Sequence, residues 1–237
     1  MKRFWTDAAC VAEGDAWAVL LDGKPVRLPG GAPLVLPGRA LAEAVAAEWQ
    51  AAGGEKGGDM SYADLPLTRL AGTAQERIAP DPEPVAVELS QYGQSDLLCY
   101  RAPHPPGLAA LQAERWQPWL DWAAATHKAP LKVTEGIVHV AQDAEALAAL
   151  AGALSTRTPH ALAALGVAVP VLGSLVLGLA LADGVLDGAE AYALSQIDEA
   201  YQAELWGQDS EAVIKRTRDA ADVAHAARLL ALLREPA

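Results

Sequence analysis

Along AWAVLLDGKPVRLPG, apolar and polar positions alternate so that Trp17, Val19 and Leu21 share one face of a strand. Asp22-Gly23 then supplies a tight turn and the pattern resumes, which predicts a β-hairpin. APLVLP adds a third, proline-bounded strand near a sheet edge. The period then changes. In GRALAEAVAAEWQAAGG, Leu41, Val45 and Trp49 recur at helical spacing with Glu48 beside them, and paired glycines end the run.

GGEKGGDMSYAD has no helical period and reads as a linker. Beyond it, LTRLAGTAQERI, EPVAVELSQYG, GLAALQAERW, PWLDWAAATH, DAEALAALAGAL, residues 188–206 and a last stretch from about Ser210 all read as helix. IVHV at 137–140 predicts a short extended piece. No fixed repeat is present, so a solenoid is not expected. The expected class is α+β: a small amino-terminal β-rich domain, hairpin plus helix, over residues 1–62, then a larger all-helical domain over 63–237.

One run tests whether the chain is soluble. ALAALGVAVPVLGSLVLGLALA, residues 161–182, carries no charge over a length able to cross a bilayer. Gly166 and Pro170 interrupt it. TPHALAALG reads instead as a short helix with Thr158 as N-cap, Pro159 in its first turn and Gly166 at its end. GSLVLGLALADG reads as a second short helix, buried on all sides. No membrane insertion is expected.

Composition narrows the function. The 237 residues carry a formal charge of −12, which disfavours nucleic acid and anionic membrane surfaces as partners. Apolar residues reach 52% with a single Phe, a mix rich in Ala and Leu that favours helix over disorder. Cys10 and Cys99 form no disulfide framework or metal spacing, and reduced thiols fit a cytoplasmic protein. MKRFWTDAACVAEGD has no long apolar run before its acids, so no signal peptide is expected.

Candidate chemistry is sparse. The phosphate-loop, dinucleotide, HExxH and GxSxG motifs are all absent. Histidines 104, 127, 139, 160 and 225 lack metal-ligand spacing, so neither a metal nor a cofactor is expected. Cys99 beside Arg101 resembles an activated thiolate, yet Leu97, Leu98 and Tyr100 around it favour a core position. Trp116, Trp119 and Trp122 in WQPWLDW recur every three residues, which fits packing or a partner patch better than a carbohydrate platform.

LSQIDEAYQAELWGQD, residues 194–209, holds four carboxylates: Asp198, Glu199, Glu204 and Asp209. At 100° per residue, Leu194, Ile197, Tyr201 and Leu205 form the buried stripe. Asp198 falls inside it, while Glu199 and Glu204 lie off it. A carboxylate on an apolar face requires a partner. Arg69 or Arg101 could supply one internally; otherwise the complement comes from another protein.

Six phrases together resemble a known family: LDGKPVRLPG (21–30), LAEAVAAEWQ (41–50), LPLTRLAGTA (65–74), YGQSDLLCYRA (92–102), GSLVLGLAL (173–181) and SQIDEAYQAELWG (195–207). In that order they are similar to the bacterial form of the assembly chaperones of the F-type ATP synthase that serve its alpha subunit. The resemblance implies a small β-domain joined to a helical one, without ATP hydrolysis. It implies binding of the unassembled alpha subunit and shielding of the surface later taken by the beta subunit. By position, Asp198 matches a site where the family tends to place a functionally important Glu. Trp49 matches the tryptophan of the family's EW pair, where domain packing is expected. GGEKGGDMSYAD is longer and richer in glycine than the family pattern.

The expectation is thus a cytoplasmic, non-enzymatic chaperone, monomeric when free, with Asp198, Glu199, Tyr201 and Trp206 on its partner-binding face. Trp49 and Arg101 are expected to be structural. Two rivals differ in class. One is a hydrolase using Asp198 or Glu204 as acid or base with His139 or Cys99. The other is a helical small-molecule binder built on WQPWLDW.

Overall fold

The computed structural model describes residues 1–207 and 210–235, so Asp209, one of the four carboxylates above, lies outside the described residues. Helix and sheet are mixed, as in an α+β chain. The chain divides into two compact units. The first comprises Met1–Asp81 with Thr158–Ala164 and a stretch from Arg228 onward; the second comprises Pro82–Arg157 and Leu165–Ala227.

The first unit holds an antiparallel sheet of β1 (Ala8–Glu13), β2 (Ala16–Leu21), β3 (Lys24–Pro25) and β4 (Val35–Leu36). β2 is its centre, pairing with the other three. The expected turn is present: Asp22 and Gly23 have φ of 48° and 79°, the left-handed pair that a two-residue hairpin needs. The Asp22 carboxylate accepts the Asp7 N–H at 2.9 Å and the Thr6 N–H at 3.0 Å. Those two bonds hold its pKa below the usual carboxylate value.

Helix α1 (Arg39–Ala51) buries Leu41, Val45 and Trp49 as its spacing predicts. Trp5 is fully buried, packs edge-on to Trp49 at 5.1 Å and donates its indole N–H to the Trp49 carbonyl at 3.1 Å. Glu48 also points inward, and there it acts as a cap. It accepts the Leu67 and Thr68 N–H groups at 2.7 and 3.0 Å, closing the start of α2 (Pro66–Thr73). Burial raises its pKa against the opposing pull of these bonds.

The glycine-rich segment read as a linker is instead pinned to the amino terminus. Arg3 is buried and donates to the carbonyls of Gln50 and Gly54, both at 2.6 Å, and to those of Trp5 and Thr6. Met60 N–H donates to Met1 O at 2.9 Å and Gly57 N–H to Arg3 O at 2.8 Å. A guanidinium is the group able to satisfy several converging carbonyls at once, and a lone Arg in sequence gives no hint of that.

The second unit is mainly helical. α3 (Glu83–Ser90) packs on α5 (Ala144–Ser155), and α4 (Pro106–His127) packs on α7 (Leu175–Asp183). GLAALQAERW and PWLDWAAATH, read as separate helices, are one helix that continues through Pro118. The expected strand at IVHV is absent: β6 is Thr134–Glu135, parallel to β5 (Tyr100–Arg101), while Ile137 is 97% exposed. The core claims no side chain there to enforce a strand.

α6 (Pro159–Leu172) has the expected Thr158 cap, whose hydroxyl accepts the Ala161 N–H at 3.2 Å. It does not end at Gly166. It runs through Gly166 and Pro170 and stops at Gly173, whose φ is +63°. α7 follows from its Ser174 cap and is buried on every side from Leu175 to Ala182, as expected. Among the described residues no helix is long and apolar enough to cross a membrane. α8 (Gly188–Ser195), α9 (Ile197–Trp206) and α10 (Ser210–Arg234) complete the chain. The single helix read over 188–206 breaks at Gln196, whose φ and ψ of −107° and 14° leave the helical basin.

Candidate functional site

α4 turns Leu108, Gln112, Trp116, Leu120 and Ala123 inward. Gln112 is fully buried, and its amide works in two directions. Its oxygen accepts the Ala102 N–H at 2.7 Å, and its nitrogen donates to Asp198 Oδ1. The carboxylate on the apolar stripe therefore has an internal partner, but a neutral amide rather than an arginine. Arg101 lies one step away. Its guanidinium donates to the Gln112 carbonyl and lies over the Trp116 ring at 5.3 Å. Burial lowers the Arg101 pKa. Trp116 in turn donates its indole N–H to Leu194 O at 2.9 Å, fixing the end of α8.

The predicted stripe on α9 holds for its first half only. Leu194 and Ile197 are buried and Tyr201 is half-buried, but Leu205 is 59% exposed and Trp206 79%. Within α9 exposure thus rises from Ile197 through Tyr201 to Leu205 and Trp206 in the last turn. Glu199 and Glu204 are exposed, as their positions off the stripe imply. Across from this end lies the start of α10, where Ala212 and Lys215 are exposed and Arg216 is half-buried. A cavity of about 450 Å³ lies between the two helices, with Glu199, Ala203 and Trp206 on one side and Ala212, Lys215 and Arg216 on the other.

Glu204 is exposed, and His139 shares a hydrogen bond of 3.1 Å with the hydroxyl of half-buried Tyr100. Cys99 is fully buried, and desolvation, followed by Asp96, pushes its thiol up to about 12, which leaves no thiolate at neutral pH. Trp119 and Trp122 meet edge to face, 6.3 Å apart, rather than as a flat platform. Among the described residues no group of His, Cys, Asp and Glu side chains could hold a metal. Trp49 sits in the core of the first unit, 6% exposed.

Three important groups escaped the sequence. Gln112 looked like an ordinary polar residue on a helix of mixed face. Asp96 is fully buried, accepting the Leu98 N–H at 3.1 Å and, across 80 residues, the Val176 N–H at 3.0 Å. Arg216 lies in the last helix, in which the sequence pattern singled out no residue.

A family model described as ATP12 chaperone protein matches residues 2–124. The mitochondrial protein atp12 of Schizosaccharomyces pombe is 23% identical over 222 residues, covering 89% of this chain and 75% of its own. The crystal structure of Atp12 from Paracoccus denitrificans aligns with a TM-score of 0.91 and 44% identity, over 98% of each chain. A protein from Agrobacterium tumefaciens aligns with a TM-score of 0.91 and 41% identity, over 98% of this chain and 86% of that one.

Proposed function

The chain belongs to the ATP12 chaperone family, and we propose that it holds the unassembled alpha subunit of an F-type ATP synthase. It works as a chaperone and not as an enzyme. On this proposal the end of α9 shields the face of the alpha subunit that the beta subunit later covers. On the same proposal the free protein is a cytoplasmic monomer.

The observation that carries it is the uncovered Trp206. A side chain 79% exposed at a helix end, next to exposed Leu205, retains its hydration until a partner covers it. Large aromatics in such positions supply much of the binding free energy of interfaces. Tyr201, Glu199 and Asp198 extend the same helix toward the core, so one side chain set grades from exposed apolar to anchored polar. A lone ring subunit exposes a broad apolar interface of its own, which is the natural counterpart.

Capture of purified alpha subunit by the immobilised chain tests this. Trp206→Ala is expected to weaken capture roughly tenfold or more, with thermal unfolding unchanged because the side chain supports no core. Failure of the unaltered chain to retain the alpha subunit would overturn the assignment.

A further inference from the structure

The groove between α9 and the start of α10 is not electrically uniform. Glu199 lines one wall and Arg216 the other. Lys215 also lines it, but its ammonium is held by Asp219 at 2.5 Å. Arg216 is different. It is half-buried, and among the described residues no carboxylate lies within ion-pairing distance of its guanidinium. Its backbone is fixed, because the Tyr192 hydroxyl of α8 donates to the Arg216 carbonyl at 3.0 Å. In a chain of net charge −12 this cation, without an ion-pair partner among the described residues, stands at the rim of the groove that holds the exposed Trp206. Removing a cation from water without an anion is unfavourable, and an incoming carboxylate reverses that balance.

We propose that this groove receives a client segment in which an acidic residue adjoins a large apolar side chain, the carboxylate meeting Arg216 and the apolar group covering Trp206. Resting on the client-binding assignment above, this adds the chemistry of the segment and its direction. Glu199 on the opposite wall repels a carboxylate, so the segment enters in one orientation. Direction set by one attractive and one repulsive wall is how charged rims confer specificity.

Two variants test it against purified alpha subunit. Arg216→Glu is expected to weaken capture about tenfold or more at low salt, with unchanged thermal unfolding, whereas Arg216→Lys retains most of it. The lysine variant also places an amine where the guanidinium stood. A water-soluble carbodiimide should then couple position 216 to the client through an amide bond. Peptide mapping is expected to find the partner atom on an Asp or Glu next to a large apolar residue. Full capture by Arg216→Glu, or a complex with no coupling at position 216, overturns the proposal while the client assignment stands. If the unaltered chain retains no alpha subunit, both fall, and the first measurement already says so.

Discussion

At the scale of single residues, the second unit depends on polar groups that sequence statistics treat as ordinary. From a fully buried amide, Gln112 accepts one hydrogen bond from the Ala102 N–H and donates one to Asp198. Gln112→Leu leaves a half-buried N–H and a half-buried carboxylate without these partners, and is expected to cost about 2–4 kcal/mol in urea unfolding. For the same reason Asp198→Ala should cost roughly 1–2 kcal/mol, so it cannot cleanly report on a partner. Asp198→Asn keeps an acceptor for Gln112 and removes only the charge. It is expected to unfold within about 1 kcal/mol of the parent; a larger loss would mean that the charge itself stabilises the fold. Asp96 gives a pH signature. Desolvation pushes its pKa up to about 6 from 3.8, against the pull of its backbone hydrogen bonds. The folded state therefore takes up the proton more readily than the unfolded one, and this residue's contribution grows on acidification. It should be complete below about pH 4 and lost as pH rises through about 6, by about 3 kcal/mol at most. Comparing urea midpoints of the parent and Asp96→Asn between pH 4 and 7 checks this: only the parent should carry that slope.

At the scale of elements, helix packing sets tolerances that the pattern of apolar positions does not show. α7 lies so close to α6 that a Cβ on Gly178 would sit 2.4 Å from Val169 Cγ2. Val is stiff at χ1 and cannot swing away freely. Gly178→Ala is expected to lower stability by about 1–3 kcal/mol despite its better helix propensity, and Val169→Ala in the same chain should restore part of that loss. Thermal unfolding of the two single variants and the double one reads the coupling; strictly additive effects would contradict the close approach. What was legible in the sequence follows the same logic. The Asp22-Gly23 hairpin, the α1 stripe, the Thr158 cap and the all-round burial of α7 each rest on local chemistry, and each is present. β1 was missed because only Ala8 and Cys10 of its six residues are even half-buried, so it shows hardly any alternation. Helix ends at Gly166 and Pro118 were expected from propensity, and tertiary packing overrode both. The Gln196 break was invisible for the opposite reason: Gln is a good helix former, and nothing local marks where α8 must turn. Leu205 was expected inside because it continues the face of Ile197 and Tyr201, and along that one face of α9 exposure rises toward the helix end.

At the scale of the whole molecule, a protein that covers another's interface must also let it go. If the covered face is the one the beta subunit needs, holder and neighbour compete for a single surface, with no nucleotide chemistry required. Mass action then fixes how unequal their affinities must be. With equimolar partners, near-complete transfer of the alpha subunit requires the beta subunit to bind about 10⁴-fold more tightly than the chaperone, equivalent to about 5.5 kcal/mol. A small patch of exposed side chains around Trp206 and Arg216 suits that inequality, because a ring interface buries far more area and ends as a permanent contact. Addition of an equimolar amount of beta subunit to a preformed complex should therefore release the chaperone as a free peak in size-exclusion chromatography, without added ATP. Persistence of a ternary complex at a large excess of beta subunit would show that the two occupy different faces, and the shielding role would have to be abandoned even if capture itself is real.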